Sequence, residues 1–220
     1  VFQRTPNFSI PAHNGPMPKD VFDDWQKNRK QYREEERYSA AGVRHTPTTD
    51  MAVNATPEER RKRYEEAWAY GGLVEFLGCY ADHMTNPVAN QYLVEFFHSK
   101  IKEIVKDPET ADDLCPKTYP IGTKRLCVDT GYYQTYNLPH VRLVNLRKHA
   151  IKTITEKGID LVDESLEFDA IVFATGFDAM TGALREIDIR TTDGKGGETS
   201  LRDHWAGGPL TYLGLMVSGF

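Results

Sequence analysis

One stretch limits the folds open to this chain more than any other: "FDAIVFATGF", residues 168–177. It opens on an acid, runs through apolar residues of the kind that fill a buried strand, and stops at Ala174-Thr175-Gly176. A strand that only packs a core gains nothing from three small residues at its end. A strand that delivers its carboxyl end to a bound nucleotide does, because small side chains let backbone approach a ligand closely. We therefore expect residues 168–175 to form a buried strand, with Thr175 and Gly176 close to a cofactor.

The rest of the chain alternates between β-like and helical patterns. It opens on Val1-Phe2-Gln3-Arg4, which reads as the tail of a strand, and closes on a strand-like run from Tyr212 to Val217. Domains seldom begin and end inside strands, since that leaves ladder groups unpaired, and the expectation is an internal piece of a longer protein. Residues 5–18 hold four prolines and a glycine and read as an extended linker. Residues 19–114 read as a helical insertion without strands: a charged amphipathic helix over 19–38, a loop, and a helix opened by Thr56-Pro57-Glu58-Glu59 and halted at Gly71-Gly72. A second helix is expected from Leu73 to about His83, a third from Asn86-Pro87, and a short fourth from Asp107-Pro108. Short β runs follow over 141–146, 151–155 and 158–162, spaced as a meander that leads into the strand ending at Thr175. Residues 182–208 read as loop-rich, with "TTDGKGGE" the most flexible part.

Bulk properties exclude whole classes. A net charge of -5 and a pI near 5.8 argue against a nucleic-acid or anionic-membrane surface. No apolar run has the length of a transmembrane helix. Cys79, Cys115 and Cys127 are an odd number without Cys-x-x-Cys spacing, as expected of a cytoplasmic protein with ordinary thiols. The sequence contains no G-x-G-x-x-G turn, no His-Glu-x-x-His and no serine nucleophile elbow. No metal site is expected.

Two basic spots remain. Arg4-Thr5 ends the opening strand, where a dinucleotide fold meets the adenosine ribose; an Arg there either neutralises a 2′-phosphate or is simply a solvated strand-end cation. Lys124-Arg125 follows Gly122-Thr123 in a short loop. Neighbouring side chains on extended backbone point to opposite sides, so this pair either serves two different anions or is a solvated loop. The aromatic group Tyr132, Tyr133 and Tyr136 reads as packing rather than a stacking platform.

Four segments carry a resemblance. "VFQRTPNFSIPA", "YPIGTKRLCVDTGYYQTYN", "FDAIVFATGFDAMTGAL" and "DHWAGGPLTYLGLMVSGF" occur in the order and spacing of Baeyer–Villiger monooxygenases. The chain resembles most the phenylacetone and cyclohexanone members of that family. The likeness covers nearly the whole chain and is weakest in the helical block. "ATGF" alone is common to many flavoproteins with two dinucleotide sites; its combination with "QRTP" and "GTKR" is specific.

The resemblance implies an α/β flavoprotein with Rossmann-like FAD and NADP domains and a helical insertion in the latter. Residues 1–18 would then end an NADP-domain strand and its linker, residues 115–175 would return to that domain, and residues 176–220 would start the C-terminal part of the FAD domain. In the family NADPH reduces the flavin, a C4a-peroxyflavin forms with O2, and a ketone becomes an ester or lactone. The positions matching the family motif are Arg4, Thr5 and Lys124 for the NADP 2′-phosphate, and Arg125 as the catalytic arginine beside the flavin. Thr175 and Gly176 match the strand end that passes beside the cofactors. The chain departs from the family in lacking both glycine-rich turns and the Phe-x-Gly-x-x-x-His-x-x-x-Trp fingerprint. Two other readings stay open: a flavin-containing monooxygenase acting on amine or sulfide heteroatoms, and a non-catalytic helical binding module on a degenerate nucleotide-binding scaffold.

Overall fold

The chain enters through two short strands, β1 (Phe2–Gln3) and β2 (Ser9–Pro11), in the computed structural model, which describes residues 1–39, 42–44, 48–192 and 197–217. Strand β2 corrects the linker expected over 5–18. Phe8, Ser9 and Ile10 are buried, and β2 pairs in parallel with β3 (Cys127–Asp129), with Ser9 opposite Cys127. Its partner lies more than a hundred residues away, so the prolines around it, read locally, conceal it.

The helices begin where local chemistry sets them. α1 (Lys19–Arg37) buries none of its residues, in keeping with its sparse apolar points. α2 (Pro57–Tyr70) opens on a capping box: the Thr56 hydroxyl accepts the Glu59 N–H, and the Glu59 carboxylate accepts the Thr56 N–H. It stops at Gly71 (φ 82°), where a Cβ would stand 2.5 Å from the Pro11 carbonyl oxygen; the helix end and β2 meet too closely for any side chain. α3 (Leu73–Leu77) is shorter than the expected 73–83. Beyond Gly78 the chain turns so that the buried Asp82 carboxylate accepts the N–H groups of Ala52 and Val53, which a continued helix would forbid. α4 (Pro87–Ile104) and α5 (Pro108–Leu114) start at Asn86 and Asp107, whose side chains accept the N–H groups of Val88 and Thr110.

These helices form the crossover between two adjacent parallel strands, β2 and β3. Tyr64 and Ala67 from α2, Phe76 from α3, and Leu93, Phe96 and Phe97 from α4 pack with Phe8, Ile10, Ile121 and Leu126 in one core. Burying each of the large members contributes about 1.5–3 kcal/mol. The helical block and the β2–β3 pair therefore share a core.

After β3 come α6 (Tyr132–Thr135), β4 (Val144–Asn145), β5 (Ile151–Ile154), β6 (Gly158–Leu161) and β7 (Ser165–Glu167). β4 pairs in parallel with β1 and so stays out of the expected meander, while β5, β6 and β7 make a sheet in sequence order whose third strand lies just before the 168–175 run expected there. Tyr133 and Tyr136 are buried and Tyr132 lies at their edge, so this group is packing.

The chain divides into two units, Val1–Leu166 and Glu167–Phe220. The second holds α7 (Gly182–Glu186), the antiparallel pair β8 (Arg190–Thr192) and β9 (Glu198–Ser200), and α8 (Leu201–His204), more regular structure than the loops expected over 182–208. The core of "TTDGKGGE", residues 193–196, lies outside the described residues.

Two expected strands are corrected here. Residues 168–177 form no strand, and Val172, Phe173 and Phe177 are exposed. A buried strand exists only through backbone pairing with its neighbours, and among the described residues no strand runs beside this one. The run expected as a strand from Tyr212 to Val217 instead turns back on itself, with Tyr212 bridged to Met216 around Leu213 and Gly214, both at positive φ.

Candidate functional site

The short segment Arg4–Phe8 links the end of β1 to the start of β2, and its position is fixed from several sides. Gln3 donates from its side-chain amide to the Asp113 carbonyl (3.0 Å). Tyr119 Oη lies 2.7 Å from the Pro6 carbonyl oxygen and 2.9 Å from Asn7 Oδ1, the two acceptors for its one proton. Burial pushes the Tyr119 phenol up to about 12, so the proton stays in place at neutral pH. The Asn7 side-chain amide donates to the Arg125 carbonyl (3.2 Å). The loops that carry Arg4-Thr5 and Lys124-Arg125 are thus fastened to one another.

The second loop has its own anchors. Ile121 and Leu126 are buried on either side of Lys124-Arg125. Asn90 of α4 grips Ile121 twice: its Oδ1 accepts the Ile121 N–H (3.1 Å), and its Nδ2 donates to the Ile121 and His83 carbonyls (both 2.9 Å). Gly122 stands at φ 91°, a conformation that L side chains rarely adopt, so the turn before the cations needs glycine.

This leaves the cations presented and unneutralised. Arg4, Lys124 and Arg125 are exposed, and none makes an ion pair among the described residues. The Lys124 ammonium rests 4.6 Å from the centre of the Tyr119 ring, the same ring whose hydroxyl holds the Arg4 loop. Thr5 adds a half-buried hydroxyl next to Arg4. Cations without carboxylate partners beside a hydroxyl are the donor set a phosphate dianion takes. Thr175 and Gly176 belong to the second unit and are exposed; Gly176 lies at φ 85° with nothing within 4 Å of where a Cβ would stand, so its backbone is bare to approach.

Asn7, Asn90 and Tyr119 escaped the sequence reading. Asn90 left one signal, a polar side chain in the first turn of a helix, in line with Leu93 and Phe97 on its apolar face. Replacing it with Ala strands the Ile121 N–H and two carbonyls in the core. We expect N90A to cost about 2–4 kcal/mol in urea unfolding of the full-length protein, and to weaken anion binding at Lys124 through the loosened loop. An unchanged unfolding midpoint would show that Asn90 does not hold the loop.

No family model matches the chain. Along its whole length it is 38% identical to 2-oxo-Δ3-4,5,5-trimethylcyclopentenylacetyl-CoA monooxygenase of Pseudomonas putida and 37% identical to phenazine N-monooxygenase of Lysobacter antibioticus. It is 36% identical to a Baeyer–Villiger monooxygenase of Pseudooceanicola batsensis. The chain spans 40% of the length of each of these relatives. The structure of OTEMO in complex with FAD and NADP superposes with a TM-score of 0.91 at 38% identity, covering all of this chain and 41% of that one. The fold matches, along the whole of this chain, part of a protein solved with FAD and NADP: α/β with a helical insertion. More narrowly, the chain is similar from end to end to part of a Baeyer–Villiger monooxygenase. Among the described residues no helix is long and apolar enough to cross a membrane.

Proposed function

We propose that the protein to which this chain belongs is an NADPH- and FAD-dependent monooxygenase that inserts one oxygen atom from O2 into a small ketone, giving an ester or lactone. The observation that carries this reading is the fastening of the Arg4-Thr5 loop to the Lys124-Arg125 loop by Tyr119 and Asn7, with all three cations left without an ion pair among the described residues. Similarity along the whole of this chain to monooxygenases named for ketones supports it. In this reading residues 1–18 and 115–175 belong to the NADP domain, residues 19–114 are inserted in it, and residues 176–220 begin the return to the FAD domain. Cysteines without a disulfide among the described residues suit a reducing cytoplasm.

Each residue has a defined task. Arg4 and Lys124 neutralise the NADP 2′-phosphate from two sides while the Thr5 hydroxyl donates to it. When bound, FAD and NADPH supply the electron transfer and oxygen activation. Arg125 holds a permanent positive charge where negative charge develops during oxygen insertion; a guanidinium does this without surrendering a proton that would quench the reacting oxygen. Thr175 and Gly176 let the backbone lie against the cofactors.

The test uses the full-length protein, expected to be yellow, to oxidise NADPH much faster than NADH, and to convert a ketone to its ester by mass spectrometry. Equal use of both coenzymes would remove the phosphate site. A second reading, heteroatom oxidation, has one observation in its favour: the 37% identity to a phenazine N-monooxygenase. N-oxide formation from an aromatic amine without ester from any ketone would select it.

A further inference from the structure

β1 and β4 are parallel neighbours, Phe2 opposite Val144 and Gln3 opposite Asn145, so both leave their sheet at the same end. Arg4 follows β1 there, and Arg147 follows β4. Asn145 turns the chain sharply at that point: its Oδ1 accepts the Arg147 N–H (3.0 Å), and its carbonyl accepts the N–H groups of Lys148 (3.0 Å) and His149 (2.9 Å). The turn brings the Arg147 side chain across to β1, where its Nε donates to the Arg4 carbonyl (3.2 Å). That bond takes one of the five N–H donors of a guanidinium, and the terminal nitrogens make no further bond or ion pair among the described residues.

The neighbouring basic side chains are treated differently. Arg142 pairs with Glu164, Lys148 with Glu109 and Asp113, and His149 with Asp163. Within this group the two guanidiniums at the strand ends, Arg4 and Arg147, are the ones without a carboxylate among the described residues. Both are exposed. Ligands of parallel α/β sheets bind outside the carboxyl ends of the strands, which is where these two stand.

We propose that Arg147 is a second guanidinium of the anion site that begins at Arg4, and that the pair binds a phosphomonoester dianion, the 2′-phosphate of NADP. The proposal rests on the coenzyme reading above. Its Nε bond to the Arg4 carbonyl orients the planar fork and leaves its outer edge for two parallel bonds to phosphate oxygens.

The test compares wild type with Arg147→Ala, Arg147→Lys and Arg147→Gln in the full-length holoenzyme, measuring KM for NADPH and for NADH and displacement by 2′-AMP against 5′-AMP. Arg147→Ala is expected to raise KM for NADPH about tenfold and to leave KM for NADH in place. 2′-AMP should lose its advantage over 5′-AMP to the same degree. Arg147→Lys should recover part of the loss. Arg147→Gln keeps an N–H for the Arg4 carbonyl but no charge, so it should behave as Ala does; recovery by Gln would reduce Arg147 to a brace for the loop and overturn the proposal. Arg147→Ala with unaltered NADPH preference, in a wild type that prefers NADPH, overturns it too. A wild type with no preference for NADPH instead overturns the coenzyme reading itself, and the proposal with it.

Discussion

Replacing Arg125 with Ala in the full-length protein is expected to lower ester or lactone formation by about a hundred- to a thousandfold, while NADPH still bleaches the flavin absorbance. Removing one preorganised charge from a site where negative charge develops has effects of this size. The substitution is clean in structural terms. Arg125 is exposed and makes no ion pair among the described residues, and the contact that fixes its position runs through its backbone carbonyl to Asn7. Leu126 beside it stays buried, so the loop keeps its path when the side chain goes. Arg125→Lys is expected to recover little, because an ammonium is a compact donor that titrates, whereas the guanidinium stays charged and planar. Stopped-flow absorbance reads flavin reduction and gas chromatography reads the ester. Ester formation at the wild-type rate in R125A would take Arg125 out of the chemistry.

The sequence shows the parts of this fold that are governed locally. Thr56-Pro57-Glu58-Glu59, Asn86-Pro87 and Asp107-Pro108 each start a helix at the residue their capping chemistry dictates, because a cap and its helix are neighbours in the chain. The β5–β6 pair is legible for the same reason. What depends on distant partners is not. β2 hides between prolines because its register is set by β3, and residues 168–177 look like a buried strand although no described strand stands beside them. The site divides in the same way. Arg4, Thr5, Lys124 and Arg125 stand out through motif resemblance, whereas Asn7, Asn90 and Tyr119, which bring the two loops together, form contacts across 31 to 118 residues that no local pattern announces.

Arg4→Ala is expected to produce the other large effect, a rise of about a hundredfold in KM for NADPH with KM for NADH nearly unchanged. A charge-assisted contact to a phosphate dianion has this magnitude, and NADH has no 2′-phosphate with which to lose it. The loop should survive the change, because its anchors lie outside the Arg4 side chain. Gln3 is bound to Asp113, Pro6 to Tyr119, and the Arg4 carbonyl, which alanine retains, to Arg147. The dependence on conditions separates charge from shape. The second ionisation of a phosphomonoester lies near pH 6, so the wild-type preference for NADPH should weaken as the pH falls through that value, and it should also weaken with added salt, which screens exposed charges. In Arg4→Ala both dependences should flatten, leaving what Lys124 and Arg147 contribute. Equal losses for the two coenzymes would mean a distorted loop rather than a missing phosphate contact, and no loss at all would place the 2′-phosphate away from β1.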